Sequence, residues 1–180
     1  MSWDRWIDRY REGRSFATTG PLLTFEVNGS GVGEEIRFAP GTTYRATLLA
    51  DVMSRTPIER VEFIQNGQVV ESADAGGDDR FRLEKEVRVT DSTWFAARVY
   101  GPAAPGLTTR ALAHSSAVYV TAGSKPVLVR EDLEMAVRWI DRFWGYLVER
   151  NNFGSQENRE GAQDMVERAR RHYLDKLGNL

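Results

Sequence analysis

Apolar and polar positions along the chain change period twice. Trp3, Trp6, Ile7 and Tyr10 recur at spacings of three and four, one face of a short helix that ends at Gly13. From Leu22 to about Thr121, short runs rich in β-branched and aromatic residues are separated by Gly, Pro, Asn and Asp. Turn signals recurring about every eight to twelve residues mark a sandwich or barrel. After Gly123 and Pro126 the helical period returns, with Leu133, Ala136, Val137, Ile140, Phe143, Trp144, Leu147 and Val148 as one wide apolar stripe. A break at Asn151-Asn152-Phe153-Gly154 follows, and Ser155 is a natural N-cap for a last helix. That helix carries the stripe Ala162, Met165, Val166, Ala169, Tyr173 and Leu177.

The predicted strands are Leu22 to Asn28, Glu35 to Phe38, Thr43 to Val52, Arg60 to Gln65, Gln68 to Glu71, Arg80 to Val89, Thr93 to Tyr100 and Leu112 to Thr121. Asn66-Gly67 is the sharpest local signal, because a two-residue type I′ turn needs positive φ at both positions. Tyr44, Ala46, Leu48 and Ala50 mostly alternate with polar residues, as do Phe81, Leu83, Val87 and Val89. Such alternation puts one sheet face in a core and the other in water. The expected fold is therefore mainly β: an Ig-like antiparallel β-sandwich of about seven or eight strands, with a short N-terminal helix and a C-terminal α-helical hairpin. Three parts are expected: residues 1–21 as helix and linker, 22–123 as the sandwich, and 127–180 as the hairpin.

Composition narrows the function classes. The chain has 180 residues and no cysteine, which removes thiol nucleophiles and cysteine-ligated zinc. Its 24 basic and 26 acidic residues are spread throughout, so no basic stripe points to nucleic acid. No apolar run suits a signal peptide or a membrane span, and the chain reads as soluble, with no membrane partner.

Chemistry is sparse. The two histidines, His114 and His172, belong to no His-x-His or His-Glu-x-x-His pattern, and no metal centre is expected from spacing. His114 reads as a strand histidine hydrogen-bonded at a sheet edge or a domain contact, and His172 as part of a solvated helix face. Ser115 and Ser116 adjoin His114, but neighbours on a strand point to opposite faces and do not pair as nucleophile and base. The acidic loop Asp74 to Asp79 reads as a mobile hairpin tip rather than a calcium loop, since it lacks alternating ligand positions. Most of the aromatic residues are expected in cores. No catalytic residue, cofactor site or metal ligand is assigned.

One segment is more distinctive than strand propensity requires: Gly13-Arg14-Ser15-Phe16-Ala17-Thr18-Thr19-Gly20-Pro21-Leu22-Leu23, then Phe25-Glu26-Val27-Asn28-Gly29 and Val32-Gly33. It resembles the stretch that leaves the catalytic domain and enters the β-sandwich in PHP-superfamily metallohydrolases of the carbaryl-hydrolase-like group (CehA/McbA type). Ile58 to Gly67, Ser92 to Arg98 and Ala113 to Val120 look like later sandwich strands of that group, in the same order. Ala117 stands where proline is expected and Thr19 where asparagine is common. The resemblance covers roughly residues 10 to 150 and implies a C-terminal region without the metal-binding catalytic domain, whose His-x-His and Asp-x-His motifs have no counterpart here.

The resemblance implies a non-catalytic accessory domain, with the divalent metal held in the missing domain and that domain as partner. Residues 1–21 would be the remnant of the boundary, with Trp3, Trp6, Arg14, Phe16 and His114 as candidate interface residues. The bare face of the first helix is expected to pack on the C-terminal helices or on a second copy, a homodimer in isolation. A stand-alone β-sandwich binding module for carbohydrate, peptide or protein is the alternative, using loops 29 to 34, 73 to 79 and 101 to 110.

Overall fold

A computed structural model describes residues 2–103 and 109–179. Among them the order is α1 (Trp3–Arg11), β1 (Phe16–Thr18), β2 (Leu22–Val27), β3 (Ser30–Gly31), β4 (Glu35–Phe38), β5 (Tyr44–Met53) and β6 (Arg60–Gln65). Then come β7 (Gln68–Asp74), β8 (Arg80–Val89), β9 (Thr93–Ala103), β10 (Arg110–Ser115), β11 (Val118–Ala122), α2 (Arg130–Arg150) and α3 (Gln156–Gly178). The chain is mainly β, with two sheets, a short first helix and two helices at the end, as the periodicity predicts. No helix among the described residues is long and apolar enough to cross a membrane.

Every predicted strand is present, and the chain adds more. The last one is split into β10 and β11 at Ser116 and Ala117, whose backbone groups are diverted to other partners. The Ser116 amide donates to the Ser15 carbonyl at 3.0 Å, and the Ala117 carbonyl accepts from the Gly33 amide at 2.8 Å. β1 and β3 are short strands in segments expected to be linker and loop. Pairing is antiparallel except between β11 and β4, which run parallel.

In the larger sheet β9 is central. β6 lies on one side, in register from Arg60 opposite Tyr100 to Gln65 opposite Phe95, and β7 lies beyond β6. β10 and β11 lie on the other side, with β1 outside β10 and β4 outside β11. Asn66 and Gly67 join β6 to β7 with φ of 47° and 83°, the left-handed pair that the turn requires. The second sheet has the order β3-β2-β5-β8.

Alternation builds the core. Leu23, Phe25 and Val27 of β2 and Ala46, Leu48, Ala50 and Val52 of β5 are buried, facing Val61 and Phe63 of β6 and Phe95, Ala97 and Val99 of β9. Phe25 and Phe63 meet across the two sheets with ring centroids 5.7 Å apart. Each such buried Val, Leu or Phe side chain contributes about 1.5–3 kcal/mol relative to exposure. β8 pairs along all ten residues with β5 and, among the described residues, with no other strand, and it carries Arg80, Arg82, Glu84, Lys85, Glu86 and Arg88, all exposed. Lys85 reaches Glu71 of β7 at 2.7 Å.

The loop after β7 is pinned, where a mobile tip was expected. Its Asp78 and Asp79 carbonyls accept from Ile58 and Ser54, and its Ala75 and Gly77 amides donate to Glu59 and Ile58.

Contacts divide the chain into two compact units, one ending at Val127 and the other beginning at Leu128. The first contains α1 and every strand, because β1 ties the N-terminal segment into the sheet. In the second, α2 ends on left-handed Asn151, and Ser155 caps α3 by accepting from the Asn158 amide. Asp141 of α2 accepts from Arg170 of α3 at 2.8 Å. The apolar stripes are less buried than predicted: Leu133 is buried, while Phe143, Val148 and Met165 are exposed, with Trp139 and Tyr146 beside them.

Candidate functional site

The distinctive segment after α1 has a clear structural task. Glu12 and Gly13 end the helix, and Gly13 adopts φ of 72°. Gly33 presses against this turn so closely that a Cβ there would collide with the Glu12 carbonyl oxygen. Arg14 meets Glu12 at 3.0 Å and Glu34 at 3.4 Å, so its guanidinium spans the helix end and the turn before β4.

Next, Ser15 and Ser116 share a hydroxyl hydrogen bond at 3.2 Å. β1 then aligns on β10, with Phe16 opposite Ser115, Ala17 opposite His114 and Thr18 opposite Ala113. Thr19 closes the strand: its amide donates to Leu112 at 2.9 Å and its hydroxyl to Arg110 at 2.7 Å. Thr18 accepts from the Gly20 amide and donates to the Pro21 carbonyl, turning the chain toward β2 in the other sheet. The segment therefore ties the C-terminal end of α1 to the sandwich.

Four of the five residues singled out in the sequence come together here. Trp6, Arg14, Phe16 and His114 line one open concavity of about 820 Å³, with Arg9, Tyr10, Ser15, Ala17, Ser115 and Ser116. Trp3 stacks on Trp6 at 5.2 Å, and Trp6 on Tyr10 at 6.0 Å, so the helix carries a continuous aromatic stripe. Trp3 is 72% exposed and Tyr10 64%.

The His114 Nδ1 lies 2.7 Å from the Ser115 carbonyl oxygen. Ser115 instead points inward, where its hydroxyl accepts from the Ala97 amide at 2.9 Å. The two side chains diverge, as strand geometry requires, and form no nucleophile–base pair. Sequence reasoning missed Arg9, Ser15 and Ser116, whose place follows from the long-range register of β1 on β10.

The inner side of β1 has a smaller concavity of about 370 Å³, lined by Phe16, Leu23, Phe25, Val32 and Ser115 among others. Val32, a candidate exposed contact in loop 29 to 34, packs against the core. Leu107 and the centre of loop 101 to 110 lie outside the described residues.

Away from β1, Glu62 is buried on the outer face of the larger sheet, 2.8 Å from Arg60 and 2.6 Å from Arg98. Both guanidinium groups approach the Tyr100 ring, at 4.5 and 5.3 Å. The carboxylate is satisfied there, and the cluster braces β6 on β9. Among the described residues no three His, Asp or Glu side chains lie together as a ligand set for a metal.

Comparisons with protein-family models, curated proteins and solved structures find no match to this chain.

Proposed function

We propose that this chain is the non-catalytic accessory region of a PHP-type metal-dependent hydrolase, which supports or covers the catalytic domain and docks through α1 and β1. One observation carries the reading: the Trp3-Trp6-Tyr10 stripe lies bare on a helix that the Gly13 to Pro21 segment fixes to the sandwich. A helix anchored at its C-terminal end, with its apolar face left open, suits a domain contact. The resemblance of that segment to the domain boundary of the carbaryl-hydrolase-like group gives the partner its class. The sandwich is read as Ig-like, since β2, β5 and β8 form one sheet, β6, β9 and β10 the other, and the connections cross between them.

The test joins a PHP catalytic domain to the N-terminus of this chain and assays phosphoester and carboxylester hydrolysis with Mn²⁺ or Zn²⁺. Metal-dependent turnover that exceeds that of the catalytic domain alone, and that drops with Trp3→Ser and Trp6→Ser, is expected. Turnover by the purified chain alone, lost on His114→Ala, would overturn the proposal.

A further inference from the structure

The backbone of β1 points to how a partner binds. Antiparallel pairing alternates, so residues whose N–H and C=O face the neighbouring strand are separated by residues whose groups face away. Ser15 and Thr19 face β10, through the Ser116 amide and the Leu112 carbonyl. Ala17 shares their direction. Phe16 and Thr18 therefore turn their amide and carbonyl groups to the open edge, where no strand pairs among the described residues. The Thr18 hydrogen bonds to Gly20 and Pro21 use its side chain and leave these backbone groups unspent.

The two concavities adjoin at this same edge, where Arg14, Ser15, Phe16 and Ser115 line both, while Ala17 and His114 line only the larger and Leu23 and Phe25 only the smaller. A strand added to an edge sends alternate side chains to opposite faces. The larger concavity offers Trp6 and Tyr10, and its two arginines, Arg9 and Arg14, are each already paired with Glu12. The smaller one is chiefly apolar.

We infer that β1 accepts an extended segment of a partner protein by strand addition. Its side chains alternate between an apolar residue in the inner concavity and an aromatic or aliphatic residue beside Trp6 and Tyr10. This specifies the contact of the proposed accessory role, yet stands apart from the partner's chemistry.

The test screens the full chain against a displayed library of random ten-residue peptides, then follows amide hydrogen exchange with the enriched peptide bound. Enrichment of alternating apolar residues is expected, together with new protection of the Phe16 and Thr18 amides. Thr18→Pro removes one outward donor and should weaken binding by roughly tenfold. Phe16→Asp, which keeps the backbone intact, should weaken it at least as much.

Failure to enrich any peptide would overturn the inference, as would binding that leaves both amides exchanging freely. Protection of those amides in the free chain, with the mass of a dimer, would assign the edge to a second copy and equally overturn it. Peptide capture at β1 alongside an inactive fusion would sink the hydrolase reading alone.

Discussion

At Gly33 the added methyl of alanine would collide with the Glu12 carbonyl, and φ of +81° disfavours any side chain there. Gly33→Ala is expected to cost about 3 kcal/mol, read from the urea midpoint. Gly31→Ala, with nothing within 4 Å of its Cβ, should stay within about 0.5 kcal/mol of the parent. Glu62 offers a second contrast. Its carboxylate is buried, so Glu62→Ala strands Arg98 and should cost about 2 kcal/mol, less than a wholly buried pair because both arginines reach solvent. Arg110→Ala breaks an exposed pair with Glu59 and should cost under about 1 kcal/mol. Equal losses at Glu62 and Arg110 would contradict this ranking.

Among the elements, the aromatic face of α1 should matter little to folding. Trp3→Ser with Trp6→Ser is expected to shift the urea midpoint negligibly, whereas Leu48→Ala in β5 should cost about 2–5 kcal/mol. Elements with local signals were legible: the Asn66-Gly67 turn, Ser155 as a cap, and the strands whose apolar residues alternate. β1 was not, because Phe16-Ala17-Thr18 has no periodicity and becomes a strand only through Ser15 and Thr19 pairing with β10 about a hundred residues away. The parallel partnership of β4 with β11 and the division at Ser116-Ala117 are likewise set by remote backbone partners. The candidate interface residues were named from a segment's resemblance, and their grouping around one hollow needed that same register. Helix stripes were overread, since Phe143, Val148 and Met165 fit the period but lie exposed.

For the whole molecule, the buried cluster runs from Leu23 to Ala122, so a chain ended at Val127 should keep its β-sheet circular dichroism and a cooperative urea transition. The pH response follows from three carboxyls held below their ordinary range. Glu35 is lowered first by Arg37 and then by Thr121, Glu71 by Lys85, and Asp91 by Lys125 followed by the Ser92 amide. Folded-state values below the unfolded ones make their stabilisation present at neutral pH and progressively lost as pH falls through and below about 4. Because Glu35 and Asp91 are exposed and Glu71 is only half-buried the slope should be shallow, and Lys85→Met should flatten it further; a urea midpoint unchanged down to acid pH would refute this. The Lys85–Glu71 pair also bears on how assembly ends. It occupies the flank opposite β1, and the charged rim of β8 repels a neighbour's backbone there. A guest strand taken up at β1 would thus find the β8 edge on the far flank guarded by charge, which opposes head-to-tail growth through β8.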